Sequence, residues 1–569
     1  MKRENKYIDQ LITKMSLDQK VGALLTLGFS GTLVRQHIYD FIVKYHCGGL
    51  RLTPHARTFG SYIDPKSGKS IVDVVDSKGY KKGTQPPQVN ASEYKKTLAE
   101  LQTLAVNRPL GIPLHFSYDQ EGGTSADFDF GGVNIFPKPM GIRATGDSRL
   151  AYEVAKAVCR QSRAVGFNWV HSPVLDVNVN PDNPEVYTRA YSDRVEDIIE
   201  YSVQTCLGLK EGGLIATGKH FPGRGDSELD AHFEMPIIKV DKKTMLNREL
   251  LPYKVLIEKK LLPSIMIAHS IFPAIDDIEV ATVSKKVLTG LLREEMGFDG
   301  VITTDSMTMG GIAVRYGVAN ACALSLEAGA DLVLMKSEGS LVEETISTIK
   351  KFVTEGRISQ QDLDDKVYRV LSLKYEYGLF NQGTIWNENP EDVIKDEKIV
   401  YLSKLVARKS VLVAKDKGNL LPLLKDEKTL VIEQINKTPN DAYWYPGILL
   451  KKCMEYNPNL EYLETAYTWD EEDKNNIAKM IKKFDTVVIT NFYIRGKLSN
   501  NQAITEILKD KSKKVIIITN TPYPLSIPED ADNIVLTFAT SPDSMEVVAG
   551  VLFGEITAEG EWPIEYKLD

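Results

Sequence analysis

The chain has 569 residues, of which 43% are hydrophobic and 26% are charged, and its formal net charge is −8. This length exceeds one ordinary hydrophobic core and predicts two or more domains. The composition is that of a soluble globular protein, and a negative charge without a basic stripe argues against a nucleic-acid partner.

Membrane and export signals are not evident along the chain. No stretch reaches about eighteen uninterrupted apolar residues, the length that a membrane helix needs, and residues 1–9 are charged rather than apolar. The five cysteines are widely scattered (Cys47, Cys159, Cys206, Cys322 and Cys453), which predicts free thiols in a reducing compartment. We therefore expect a cytoplasmic protein without a membrane partner.

From residue 5 to about residue 345, short apolar runs alternate with helical patterns, as in βα units around a parallel sheet. Eight runs are predicted to be strands: 23–29, 48–53, 113–119, 169–174, 214–217, 264–269, 300–304 and 331–335. Eight such units predict an α/β fold with a (β/α)8 barrel of the TIM type, whose chemistry lies where the strands end. The polar residues just past those ends are Asp119, Asp176, Lys219, His220, His269 and Asp305.

Residues 54–92 interrupt this alternation with a polar stretch that is rich in glycine, lysine and proline. The stretch directly follows the second predicted strand, at the end of the barrel where we expect the chemistry. Loops this long are usually functional or disordered. We interpret it as an insertion that forms a partial lid over the leaving-group side, with surface elaboration as the alternative.

The chain divides into a predicted barrel domain, residues 1–375, a polar linker, residues 376–398, and a second domain, residues 399–569. In the second domain, strand-like runs at 411–414, 430–432, 487–490, 515–518 and 534–537 alternate with helical patterns. This pattern predicts a smaller α/β domain. No motif there carries recognisable chemistry, so we expect it to support the barrel or to shape the substrate site.

The most informative stretch is residues 218–232, in which Lys219 and His220 precede a proline and two glycines, and Asp230 stands two residues before His232. A cation, two imidazoles and a carboxylate around a forced turn predict an active-site loop. A phosphate-binding loop is disfavoured because His220 replaces the hydroxyl residue that would hold magnesium. A zinc site is disfavoured by the spacing of the two histidines and by the absence of a nearby cysteine.

Together with residues 300–307, G-V-I-T-T-D-S-M, this loop resembles the family 3 glycoside hydrolases. The closer resemblance is to their β-N-acetylglucosaminidase branch, whose motif K-H-F-P-G-x-G-D-x-x-x-D-x-H is matched at every fixed position. It covers nearly the whole chain, because residues 420–423 and 551–555 are similar to signatures of the family's second domain. The resemblance implies a barrel followed by a smaller α/β sandwich, and an enzyme that uses no metal or organic cofactor.

The resemblance also implies a catalytic set. Retaining hydrolysis of a β-glycoside requires a carboxylate nucleophile and a proton donor beside the leaving oxygen. By resemblance Asp305 is the nucleophile, and His232 is the general acid/base, oriented by Asp230. An imidazole suits a group that must first give and then take a proton. The alternatives are that Asp305 caps a helix and that His232 is a passive surface residue.

Four further residues match positions with which the family binds the sugar. Asp119 belongs to the D-Q-E-G-G motif and would hold the hydroxyls farthest from the anomeric carbon, and Lys219, His220 and Arg189 would contact neighbouring hydroxyls. A helix cap, a buried ion pair or a surface cation are the alternatives. His269 is left open between a pocket residue and a satisfied structural residue.

One departure concerns the substrate. After D-Q-E-G-G, relatives that recycle cell wall carry R-V-x-R, whereas residues 124–127 here are T-S-A-D, and Arg224 adds a cation of unknown use. We expect an exo-β-N-acetylglucosaminidase acting on small oligosaccharides or glycopeptides, such as peptidoglycan fragments or chitooligosaccharides. The alternatives are a β-N-acetylglucosaminide phosphorylase, a β-glucosidase or β-xylosidase, and a non-catalytic carbohydrate-binding protein. The oligomeric state stays open.

Overall fold

The computed structural model of the protein describes residues 3–54, 90–336, 340–381, 388–435 and 448–568, and the backbone of 59–63 and 70–74. Most of the predicted insertion, residues 54–92, lies outside the described residues. Within it, the strands Phe59–Ile63 and Ser70–Val74 pair in antiparallel fashion. The lid function of this segment stays a prediction.

Eight parallel strands close into a barrel in chain order. They are β1 (Leu25–Ser30), β2 (Gly49–Thr53), β3 (His115–Tyr118), β4 (Trp169–Val170), β5 (Ile215–Phe221), β6 (Ser264–Ile267), β7 (Val301–Ser306) and β8 (Leu332–Met335). Closure is visible at Leu27, which is in register with Leu50 of β2 and with Met335 of β8. The predicted barrel is therefore confirmed.

Helices lie before, between and after the barrel strands along the chain. They are Lys6–Lys14, Leu17–Ala23, Gln36–Val43, Ala91–Val106, Pro139–Arg143, Arg149–Val165, Val195–Gly212, Lys242–Asn247, Leu251–Glu258, Lys286–Glu295, Gly310–Tyr316, Val318–Ala328, Ser340–Thr354 and Gln360–Glu376. Local sequence fixes several ends: Ser16 and Gln19 form a capping box, and Gly166 ends Arg149–Val165 in the left-handed conformation.

The two barrel strands that carry Lys219, His220 and Asp305 extend beyond their predicted ends. Because β5 continues to Phe221, Lys219 and His220 lie within the strand and not in the loop after it. Because β7 continues to Ser306, Asp305 also lies within a strand, and the next helix begins at Gly310 with Met309 as its N-cap. The interpretation of Asp305 as a helix cap is therefore wrong.

The second domain contains a six-stranded sheet. Its strands are β9 (Leu412–Asp416), β10 (Thr429–Gln434), β11 (Glu461–Thr465), β12 (Thr486–Asn491), β13 (Lys514–Thr519) and β14 (Asn533–Leu536), in the order β9-β14-β13-β12-β10-β11. All pairs are parallel except β9 with β14. The helices are Glu397–Ser410, Ile448–Tyr456, Glu471–Met480, Asn501–Leu508 and Pro542–Leu552.

The described part of the predicted linker is structured. The helix Pro390–Ile394 and the start of Glu397–Ser410 fall within residues 376–398. Val393 and Ile399 belong to one buried cluster with Leu150 and Ile198 of the barrel helices. The polar composition of this segment concealed its apolar face, and its role as the linker between the two domains stays a prediction.

The carboxyl ends of the parallel strands in the two sheets face each other across the domain interface. Tyr187, from the loop after β4, is buried with Tyr493, Tyr523 and Phe538, which follow β12, β13 and β14. The backbone N–H of Lys138 donates to the carbonyl of Phe538 over 3.2 Å. The loops of the second domain therefore lie directly beside the loops that carry the predicted chemistry.

The sequence also led to predictions about the cysteines and about membrane helices. All five cysteines are free and buried, as the sequence predicted. Among the helices of the described residues, none combines the length and the apolar character that crossing a membrane would need.

Gly141 tests how tightly the domains are packed. A Cβ at residue 141 would lie 2.5 Å from Cβ of Phe538 and 2.8 Å from Cβ of Pro137. We expect Gly141→Ala to lower the free energy of unfolding by about 1–3 kcal/mol, because this contact must open. Thermal unfolding followed by circular dichroism measures the effect.

The matched control is Gly290→Ala in the helix Lys286–Glu295, where the nearest atom to a new Cβ is 3.9 Å away. Alanine favours a helix over glycine by about 0.5–1 kcal/mol, so this variant should be slightly more stable than the parent protein. Equal melting temperatures for the two variants would contradict the interface described above.

Candidate active site

The predicted site residues gather at the carboxyl end of the barrel. Lys219 and His220 lie in β5, Asp305 lies in β7, and Asp119 directly follows β3. Arg189, Asp230 and His232 reach the same end from the loops after β4 and β5. This is the end at which TIM-type barrels carry their chemistry.

Asp305 is held as a carboxylate. The backbone N–H of Ser306 donates to its Oδ1 over 2.7 Å, and its Oδ2 lies 3.8 Å from Nη2 of Arg224. Burial alone would raise the pKa of Asp305, but the charges of Arg224 and His269 hold the pKa below its usual value. A charged oxygen at the barrel mouth can act as a nucleophile.

Arg224 supplies the positive charge between two carboxylates. Its side chain is 1% exposed, and its Nη2 lies 2.9 Å from Oε1 of Glu185. Its backbone N–H donates to Oδ1 of Asp176 over 2.8 Å, and a Cβ at Gly225 would lie 1.7 Å from the carbonyl oxygen of Val177. The turn therefore requires glycine at residue 225. This turn fixes the position of Arg224, whose use could not be inferred from the sequence.

His232 and Asp230 form the predicted pair. Nδ1 of His232 donates to Oδ1 of Asp230 over 2.7 Å and lies 3.2 Å from Oε1 of Glu185. The backbone N–H of His232 also donates to Asp230, over 2.9 Å, so one aspartate orients both the ring and the turn. The other ring nitrogen, Nε2, is then the atom that can exchange a proton, and the side chain is 33% exposed.

The loop that carries this pair is docked on the helix that follows Asp305. The N–H groups of Gly310 and Gly311 donate to the carbonyls of His232 and Ala231 over 3.1 and 3.3 Å. A Cβ at Gly311 would lie 2.7 Å from the carbonyl oxygen of Glu234, so this close approach requires glycine. The predicted nucleophile and the predicted acid/base are thus joined through the backbone.

They are also joined through a series of close side-chain contacts that runs from Asp305 to Arg224, then to Glu185 and then to His232. Burial would raise the pKa of Glu185, but Arg224 and His232 hold it well below its usual value. Glu185 therefore stays ionised, although it is fully buried. It was missed at the sequence level, where its segment was interpreted only through Arg189.

Asp119 presents fixed acceptor oxygens to the barrel mouth. Its side chain is 34% exposed, its Oδ1 lies 2.8 Å from Nζ of Lys219, and its Oδ2 pairs with Arg51. Burial would raise the pKa of Asp119, but the charges of Arg51 and Lys219 hold it well below its usual value. A rigid carboxylate of this kind can accept hydrogen bonds from sugar hydroxyls.

Arg189, Lys219 and His220 are buried behind Asp119 in ion pairs and hydrogen bonds. Arg189 binds both oxygens of Glu121, over 2.7 and 2.9 Å, and Nζ of Lys219 lies 2.5 Å from the same carboxylate. These cations outweigh the effect of burial and lower the pKa of Glu121 to about 2. Nδ1 of His220 lies 2.7 Å from Oδ2 of Asp176. Direct contact of these three residues with a sugar stays a prediction.

His269 is a structural residue of the pocket wall. Its Nδ1 lies 2.7 Å from Oγ1 of Thr282, and its Nε2 donates to the carbonyl of Ser306 over 3.0 Å. Both ring nitrogens are therefore bonded, and burial lowers the pKa of the ring. The open question about His269 is answered by its role in fixing the end of β7 beside Asp305.

Arg51 and Lys336 are cations of the barrel that lie at the site and were not found from the sequence. Arg51 pairs with Asp127 over 2.6 Å, and Asp127 also accepts the N–H of Asp119. Residue 127 is the position that corresponds to the second arginine of the R-V-x-R pattern. Lys336 directly follows β8, and burial lowers its pKa. Arg51 could have been found, because a charge inside the apolar run G-G-L-R-L-T must be paired.

The group around His232 also has the composition of a metal site. Within the described parts of the chain, Glu185, Asp230 and His232 each bring one possible ligand atom within 4.8 Å of the others. However, Nη2 of Arg224 and Nη1 of Arg495 lie 2.9 and 4.0 Å from Glu185. Two guanidinium groups repel an added metal cation, so this group of residues suits proton transfer better than metal binding.

The buried ion pair can be tested without any assay of activity. Arg224→Met leaves Glu185 buried without its cation, and we expect it to lower the free energy of unfolding by about 3–5 kcal/mol. Combining it with Glu185→Gln removes the unpaired charge and should recover much of this loss. Urea denaturation of both variants measures the difference.

The control is Arg408→Met, which removes a surface pair with Glu559 in which the arginine side chain is 56% exposed. It should change stability by less than about 1 kcal/mol. A single Arg224→Met variant as stable as this control would contradict the role of the pair.

The barrel matches a known protein family. Residues 16–373 match the family described as "Glycosyl hydrolase family 3 N terminal domain". A protein named beta-hexosaminidase A from Pseudoalteromonas piscicida is 29% identical over 295 residues, which cover 48% of this chain and 49% of that protein. The chain thus spans about half the length of that relative.

A second relative covers more of the chain. The protein named beta-N-acetylglucosaminidase/beta-glucosidase from Cellulomonas fimi is 26% identical over 354 residues, which cover 60% of this chain and 61% of that protein.

Both domains have a counterpart in a solved structure. The glycoside hydrolase family 3 beta-N-acetylglucosaminidase from Paenibacillus sp. str. FPU-7 is 26% identical, with a TM-score of 0.86, and the match covers 98% of this chain and 100% of that one. On the match over residues 16–373 and the shared two-domain fold, the chain belongs to glycoside hydrolase family 3.

Proposed function

We propose that the protein is a retaining exo-β-N-acetylglucosaminidase that releases terminal β-linked GlcNAc. The observation that carries this proposal is the buried Arg224–Glu185 pair, which connects the carboxylate of Asp305 with the imidazole of His232. Retaining hydrolysis needs these two groups at one sugar-binding mouth. No metal or organic cofactor takes part in the scheme.

In the first step Asp305 attacks the anomeric carbon, and the bond to the leaving oxygen breaks. That oxygen takes the proton of Nε2 of His232 and departs as an alcohol. Arg224 stabilises the ionised state in which Asp305 attacks. The product is a covalent glycosyl-Asp305 ester with a neutral imidazole beside it.

In the second step the neutral imidazole takes a proton from water as the water oxygen attacks the anomeric carbon. The ester bond breaks, Asp305 recovers its electron pair, and the sugar leaves with its original configuration. Asp230 and Glu185 stabilise the imidazolium that forms again on His232.

Asp119 supports recognition of a terminal sugar, because its carboxylate is fixed by Lys219 and Arg51 and partly exposed at the barrel mouth. The names of the relatives, beta-hexosaminidase and beta-N-acetylglucosaminidase, favour GlcNAc as that sugar. We propose peptidoglycan fragments and chitooligosaccharides as substrates. Asp127 stands in place of an arginine of the recycling enzymes and holds Arg51 and the N–H of Asp119 on the proposed terminal-sugar side, so strict identity of substrate with those enzymes is not expected.

A second candidate is a phosphorylase that transfers the sugar to inorganic phosphate. A neutral imidazole does not repel an incoming phosphate as a carboxylate would, and Arg495, which is 38% exposed, adds a positive charge near Asp230. Phosphate would then replace water in the second step and yield a sugar 1-phosphate.

A panel of 4-nitrophenyl β-glycosides of GlcNAc, GalNAc, glucose and xylose, assayed with and without phosphate, tests these proposals. We expect release of 4-nitrophenol mainly from the GlcNAc compound, with free GlcNAc as the product in both buffers. Formation of GlcNAc 1-phosphate would favour the phosphorylase, and preference for glucose or xylose would favour the wider family. No release from any compound would contradict the enzyme proposed here.

The two catalytic roles can be separated by the stereochemistry of rescue. Removing the nucleophile opens one face of the sugar, so Asp305→Ala with azide should form the α-glycosyl azide. In His232→Ala the covalent intermediate still forms, and azide should yield the β-glycosyl azide. Nuclear magnetic resonance of the product distinguishes the two. We expect each variant to lose at least about 100-fold in kcat without azide, and a β-azide from Asp305→Ala would overturn its role.

A further inference from the structure

We propose that the second domain takes part in the chemistry of the barrel through Arg495, which positions the His232–Asp230 pair and balances its charge. This inference rests on the acid/base role proposed above for His232. The family match ends at residue 373, and no motif of the second domain indicated a catalytic contribution. The contacts across the domain interface provide the argument.

Arg495 reaches the two carboxylates that surround the imidazole. Its Nε lies 3.8 Å from Oδ2 of Asp230, and its Nη1 lies 4.0 Å from Oε1 of Glu185. The other oxygen of Asp230 accepts the hydrogen bond of His232, and Oε1 of Glu185 lies 3.2 Å from the same ring nitrogen. Arg495 therefore acts on His232 through Asp230 and Glu185, which makes it a positioning residue.

The loop that carries Arg495 is anchored to both domains. The N–H of Tyr493 donates to Oδ1 of Asn520 over 2.7 Å, and Nδ2 of Asn520 donates back to the carbonyl of Tyr493 over 2.9 Å. The hydroxyl of Tyr493 donates to the carbonyl of Pro184 over 2.7 Å, and Pro184 is the residue directly before Glu185. The anchor thus fixes Arg495 against the segment that holds one of its partners.

The charges around His232 explain why a guanidinium is useful there. Asp230 and Glu185 contribute two negative charges, and Arg224 and Arg495 contribute two positive ones. Without Arg495 the imidazole would face an excess of negative charge and would hold its proton too tightly to act as a base. Arginine keeps its charge over the whole working range of pH. Besides Arg224, the charged or titratable groups that interact with His232 include Asp305 and His269.

The test compares Arg495→Ala and Arg495→Lys with the control Lys417→Ala. Lys417 directly follows the edge strand β9 of the same sheet and lies 3.2 Å from Asp532, with a side chain that is 63% exposed. We expect Arg495→Ala to lower kcat for GlcNAc glycosides by roughly 10–100-fold, with a smaller change in KM. Its pH profile should move to higher pH by roughly half a unit or more.

Arg495→Lys retains the charge without the planar geometry, so it should keep the pH profile and recover part of the rate. Lys417→Ala should behave like the parent protein, and all variants should melt within about 2 °C of it, since exposed charges contribute little to stability. An unchanged kcat and pH profile in Arg495→Ala, or a change confined to KM, would overturn the inference.

A second measurement keeps this inference separate from the proposed function. The activity of the parent protein decides the function, whereas the ring of His232 can be followed by nuclear magnetic resonance with carbon-13-labelled histidine. His232→Asn assigns the signal by its loss. We expect the ring in Arg495→Ala to protonate at higher pH than in the parent protein. Identical titration curves would overturn the role of Arg495, even in a protein that hydrolyses no glycoside.

Discussion

The buried ion pair between Arg224 and Glu185 is the interaction on which the rest of the site depends. Removing a guanidinium and a carboxylate from water costs several kcal/mol for each ion, so such a pair persists only where the surrounding groups complete it. Here Asp305 lies at one end of the pair and His232 at the other. The loops after β4 and β5 must therefore lie close together, and Asp176 secures this by accepting the N–H of Arg224. The same ion pair therefore fixes the conformation of the loops after β4 and β5 and sets the charge between Asp305 and His232.

A second set of charges, centred on Glu121, lies on the side of the pocket where we predict the sugar to bind. Arg189 and Lys219 both bind this buried carboxylate, and Lys219 then reaches Asp119, the acceptor that is partly exposed. The cations are saturated by protein carboxylates before any ligand arrives, which fixes the acceptor oxygens without loss of side-chain freedom on binding. His220 connects this set with Asp176 and so with the turn of Arg224. The proposed sugar-binding residues and the proposed catalytic residues are thus connected through Asp176.

The sequence predicted the barrel and the positions of Asp305 and His232 because both signals are local. Apolar runs at regular spacing mark buried parallel strands, and a long motif with one turn defines a loop. The edge strand β11 was missed because it is polar and partly exposed. Arg51 was missed although its apolar surroundings indicated a buried pair. Arg495 could not be found in this way, because only the packing of two domains brings residues 230 and 495 together.

A domain without chemistry of its own can still determine a proton transfer, because charge acts across an interface. The carboxyl ends of both sheets meet, so the loop after β12 lies against the segment that carries Glu185. Arg495 approaches Asp230 only while the domains are docked, and the buried aromatic residues around Tyr493 and Phe538 hold them in that arrangement. A substitution that loosens this interface therefore also weakens the electrostatic effect of Arg495 on His232. The stability of the interface and the proposed acid/base role of His232 are therefore linked, because both depend on the 3.8 Å separation of Arg495 and Asp230.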